Sequence, residues 1–74
     1  MNKTEQFLIE KPVLIKKLNS FLTLLDALDN VKEMEILLNL CNDFFLNYTR
    51  PIYYTSIFSD AYYKKLHKIE GRAF

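Results

Sequence analysis

Three features of the chain predict an all-α fold, a small domain of three helices built on an antiparallel hairpin. Glycine occurs once and proline twice in 74 residues, too few for the tight turns that a small β fold requires. Apolar residues recur at alternating spacings of four and three, the signature of one helix face. Half the residues are hydrophobic and 15% are aromatic, so the composition supports a packed core rather than disorder.

A chain of 74 residues makes one domain, 1–74. Below roughly 70–80 residues one core rarely supplies more than about 3–5 kcal/mol, and staples or a second subunit commonly help. Cys41 is the only cysteine, which excludes a disulfide within the chain. Cys41 and His67 are the only soft ligands, which excludes a zinc cage of ordinary composition. Stability is therefore expected from helix packing or from association.

Residues 1–11 read as an arm or short helix. Thr4 followed by Glu5 and Gln6 is a candidate N-cap with an acidic first turn, and Phe7 and Leu8 can dock on a core. Pro12 removes an N–H and disfavours the α conformation at Lys11. The main first helix is therefore placed at 12–28, with Pro12 in its first turn. Its seam is Leu14, Leu18, Phe21, Leu25 and Leu28, flanked by Ile15 and Leu22 on one side and Leu24 on the other. Lys17 falls at the seam's edge, where its stem can cover apolar surface.

Asp29-Asn30 reads as the break. Asn30 with Glu33 three residues on resembles a capping box. The second helix is placed at 30–48, with Met34, Leu38, Cys41, Phe45 and Tyr48 as its seam and Val31, Leu37 and Phe44 beside it. Ile36 and Leu40 form a further apolar ridge near the polar Asp43 and Asn47, more than a hairpin partner can cover. Thr49-Arg50-Pro51 ends this helix.

Residues 52–58 are β-branched and aromatic, which favours a strand, yet no other segment offers it a partner. The alternative is an irregular turn leading into a third helix at 59–70, with Phe58, Tyr62, Leu66 and Ile69 on its seam. Lys64, Lys65 and Lys68 complement the dipole in its later turns. Gly71 suits the C′ position, and 71–74 is a tail.

Few residues carry chemistry. Cys41 with His67 is the one pair that resembles a thiol and its base, but Cys41 lies in the most apolar seam, where cysteine acts as a small hydrophobe. His67, between lysines, reads as a surface residue. Asp26, Asp29, Glu33 and Glu35 crowd the first helix junction and read as caps and solvated faces rather than a cation site. One glycine, at 71, leaves no phosphate-binding loop, and no HExxH, CxxC or GxSxG occurs. No enzyme activity, cofactor or metal is expected.

No secretory leader is evident, and no apolar run approaches the ~20 residues of a membrane span. A cytoplasmic protein without a membrane partner is expected, with the Asn2-Lys3-Thr4 and Asn47-Tyr48-Thr49 sequons fortuitous.

Charge is uneven. The net charge is +1, but residues 29–48 carry one lysine against four acids, and residues 49–74 carry five basic residues against two acids. Such polarity suits self-association or a charged partner.

The expected function is protein binding without chemistry, as an inhibitor, adaptor or chaperone-like regulator that also forms a homodimer. Ile36, Leu40, Phe44, Tyr53, Tyr54 and Phe58, with Arg50 as polar anchor, are the expected contact residues, because tyrosine and arginine favour interfaces. The alternative is a nucleic-acid regulator using Lys64, Lys65, Lys68 and Arg72 on phosphates, with neighbouring tyrosines stacking on bases.

Overall fold

The computed structural model describes residues 2–71. Within them are three helices and no strand: α1 (Lys3–Ala27), α2 (Val31–Phe45) and α3 (Pro51–Glu70). They form a rod of 47 × 21 × 16 Å. α2 runs back along α1. α3 then returns in the direction of α1, since Phe7 meets Tyr53 and Tyr54 near the start of both helices. Near their ends, Lys65 reaches the carbonyls of Leu25 and Asp26.

α1 starts at Lys3, so the separate arm or short helix expected over 1–11 is corrected: residues 3–11 belong to the first helix. Asn2, not Thr4, is the N-cap, and its side chain accepts the Glu5 N–H at 2.8 Å. Pro12 lies inside the helix, where the missing hydrogen bond and ring clash cost about 3 kcal/mol. Tertiary contacts outweigh that penalty. Phe7 is buried at 6% exposure, edge-on to Tyr53 at 5.3 Å, with the Arg50 guanidinium 4.8 Å from its ring centre. Glu10 accepts the Thr49 N–H at 3.1 Å. Burial of a phenylalanine, worth about 3–5 kcal/mol by truncation, is enough to hold the first turns in line.

α2 begins as expected, with the Asn30 side chain accepting the Glu33 N–H at 3.2 Å. It stops at Phe45 rather than Tyr48. Leu46 and Asn47 are exposed, so another helical turn would bury little. The Tyr48 N–H instead closes a tight turn on the Phe45 carbonyl at 3.1 Å. The chain reverses through Arg50, whose φ of 55° is the only positive value at a non-glycine residue among those described.

α3 begins at Pro51, the favoured first helical position, so residues 52–58 are helical and the third helix starts well before 59. Tyr54, Phe58 and Tyr62 recur at intervals of four and are buried at 0%, 0% and 4% exposure. Strand propensity spans only about 1 kcal/mol, whereas each buried aromatic contributes about 2–3 kcal/mol. Tyr54 also stacks on Phe45, with ring centres 4.8 Å apart and planes at 12°. Gly71 caps the helix at φ 70°. The remaining tail, including Arg72, lies outside the described residues.

The core is largely aromatic. Phe21 faces Phe44, Phe45 and Phe58 at 5.8–6.2 Å, which ties all three helices together. Leu37 replaces Leu38 as the buried leucine of α2, and Leu38 packs at the core's margin. Ile69, expected on the α3 seam, is 40% exposed.

Candidate protein interface on the α1–α2 face

α3 covers one side of the hairpin and leaves the other open. On that open face the outer edge of α1 presents Ile9, Val13, Lys16, Ser20 and Leu24, spaced by three or four. The outer edge of α2 presents Glu33, Ile36, Leu40, Asp43 and Asn47 in the same way. Leu24, Ile36 and Leu40 are each more than half exposed, at 54%, 59% and 56%. With Leu28, Leu37 and the Glu33 stem they wall an open groove of about 240 Å³. Further along, Val13, Lys17, Phe44 and Tyr48 border a larger groove of about 620 Å³.

The polar groups sit at the margins. The Lys17 ammonium lies 5.5 Å from the Phe21 ring centre and 5.3 Å from that of Phe44, so its stem covers apolar surface as its seam-edge position implied. This contact puts Lys16 and Lys17 within about one turn of Asp43 and Phe44 along the rod. Solvent meets a hydrophobic strip here, bounded by lysines on one helix and by acids on the other.

The expected contact residues divide. Ile36 and Leu40 are exposed and Phe44 is half-buried between α1 and α2, so these three share the open face. Tyr53 is 39% exposed and sits elsewhere, at the α1–α3 junction, under the Lys11 ammonium at 5.3 Å. Arg50 is engaged there too, donating to the Thr4 hydroxyl at 3.2 Å. Tyr54 and Phe58 are corrected: both are fully buried and belong to the core. Val13 lies outside the expected contact set, and Leu24, expected as a flank of the α1 seam, is an exposed wall of the groove. The step of four between Ile9 and Val13 was a legible signal.

Of the basic C-terminal set, Lys64, Lys65 and Lys68 line one groove together with Asp26 and Asp29. Lys65 caps the end of α1, donating to the carbonyls of Leu25 and Asp26 at 2.5 and 2.7 Å. Lys64 pairs with Asp60 at 3.1 Å, both well exposed, an arrangement of little energetic weight. Arg72 lies outside the described residues.

Burial pushes the Cys41 thiol up to about 12, the opposite of what a nucleophile needs. His67 is partly buried rather than fully on the surface. Among the described residues no group of three or more His, Cys, Asp or Glu could hold a metal ion, and no helix is long and apolar enough to cross a membrane. The fold defines the class, a small all-α three-helix bundle. No family model, curated protein or solved structure matches the chain.

Proposed function

We propose that this chain is a non-enzymatic binding domain of the cytoplasm that acts by covering a partner protein with its α1–α2 face. One observation carries the reading: Leu24, Ile36 and Leu40 are all more than half exposed and surround a single apolar groove. Contiguous apolar surface with a polar rim is the usual form of a protein interface. The solitary buried cysteine is compatible with a reducing compartment. The nucleic-acid alternative draws on the groove shared by Lys64, Lys65 and Lys68, but there Lys65 donates to main-chain carbonyls and Lys64 pairs with Asp60, so we favour the protein-binding reading.

Photo-crosslinking in the native cell tests this. A benzophenone amino acid at position 40 should form protein adducts on irradiation, while the same residue at Asp60, on the far side of α3, should form few. Equal yields at both positions, or none at 40, would overturn the assignment. Retention on duplex DNA that disappears between low and moderate salt would favour the phosphate-binding alternative.

A further inference from the structure

We propose that the occupant of the α1–α2 face is a second copy of this chain, related by a twofold axis parallel to the helices, with α1 of each copy against α2 of the other. This rests on the protein-binding reading of that face and names its partner. The two edges of the face are chemically unlike. The α1 edge carries Lys16 and Leu24, and the α2 edge carries Ile36, Leu40 and Asp43.

The levels of these residues along the rod are set by internal contacts. The Lys17 ammonium over the Phe44 ring, at 5.3 Å, puts Lys16 within about one turn of Asp43 along the rod. Leu24 is level with Ile36 and Leu40, because all three wall one groove. A twofold axis along the helices exchanges the two edges without changing level. Lys16 then comes within about one turn of the partner's Asp43, and Leu24 faces the partner's Ile36 and Leu40. Cation meets anion and leucine meets the apolar ridge, twice over, as an isologous interface requires.

The other face-to-face arrangement has its axis across the helices. It sets each α1 edge against its own copy and brings the lysines of positions 16 and 17 toward one another. Like charges in apposition disfavour that pairing, and charge pattern of this kind chiefly selects orientation. The size is also adequate. A side face of a rod 47 Å long and 16–21 Å wide offers on the order of 800 Å², about what each partner contributes to a standard stable interface.

The purified full chain supplies the test. Sedimentation across micromolar to submillimolar concentrations should show a reversible dimer. Leu40→Glu should weaken it at least tenfold while far-ultraviolet circular dichroism and the melting transition persist. Orientation is read with a short bis-maleimide on single-cysteine additions, for which buried Cys41 stays silent. Leu24→Cys mixed with Ile36→Cys should give the cross-linked pair, and Leu24→Cys alone should not. Lys16→Asp should weaken the dimer, and adding Asp43→Lys in the same chain should restore it.

A chain monomeric throughout would overturn the proposal, as would Leu24→Cys linking to itself as readily as to Ile36→Cys. A monomer whose residue-40 probe still captures another protein in cells would leave the binding reading standing without self-association. A monomer with no such adduct would remove both. If Leu40→Glu unfolds, the cross-linking of the folded cysteine variants still decides the matter.

Discussion

Arg50 is under two opposed demands. Its left-handed backbone, at φ 55°, costs a non-glycine residue about 1–2 kcal/mol. Its guanidinium returns contacts to the Phe7 ring at 4.8 Å and to the Thr4 hydroxyl. Arg50→Ala keeps the strain and loses the contacts, so it should destabilise by about 1–2 kcal/mol. Arg50→Gly loses the same contacts but relaxes the backbone, and should lie within about 0.5 kcal/mol of the parent chain. Urea midpoints of the two variants give the difference directly. Nothing local announces this conformation, because arginine has no preference for it. The position is imposed by Phe45 and Tyr54 stacking across the turn. Tyr54 carries the converse lesson: its spacing to Phe58 and Tyr62 was a readable helical core signal, but β-branched neighbours at 52, 55 and 57 masked it.

At the level of elements, Pro12 in mid-helix is the clearest departure from local rules. The Leu8 carbonyl lacks the N–H that any other residue at 12 would supply. Pro12→Ala should therefore stabilise the bundle, by about 1–2 kcal/mol rather than the full 3, since proline also restricts the unfolded chain. Thermal melts check the sign. Slower amide exchange over residues 8–12 would locate the gain, and a fall in stability would mean that the helix does not run through Pro12. Residues 14–28 and 31–45 were legible because each amphipathic pattern is complete within its own segment. The first turns of α1 and of α3 were not. Each is held by the other, through Phe7 against Tyr53 and Tyr54, and such mutual support leaves no periodic trace in either segment.

The molecule as a whole should be most vulnerable to alkali. Burial raises the Cys41 thiol from 9 to about 12. It also raises the Tyr54 and Tyr62 phenols above their ordinary value, with nearby Glu10 and Glu35 adding to the effect. Above pH 9 the unfolded chain releases the thiol proton while the folded chain keeps it. The unfolded state then binds fewer protons, and stability falls as pH rises. The loss from Cys41 is about 1.4 kcal/mol per pH unit between pH 9 and 12. Tyrosine ionisation in the unfolded chain steepens it above pH 10. Urea midpoints between about pH 8 and 10 should drop for the parent chain and stay flatter for Cys41→Ala. The candidate face was half legible at this scale. Ile36 and Leu40 exceed what a hairpin can cover, but that Leu24 meets them at one groove depends on how α1 and α2 pack, which neither segment encodes alone. The continuity of α1 through Pro12 has a kinetic consequence. Phe45 and Tyr54 are close in sequence and can meet early, whereas Glu10 and Thr49 are 39 positions apart and Thr4 and Arg50 are 46 apart. Closing so long a loop comes late on the route to the native state. The seam between the two helix starts therefore acts as a latch on escape. Strengthening it would lengthen the lifetime of the folded molecule while scarcely changing how fast that molecule forms.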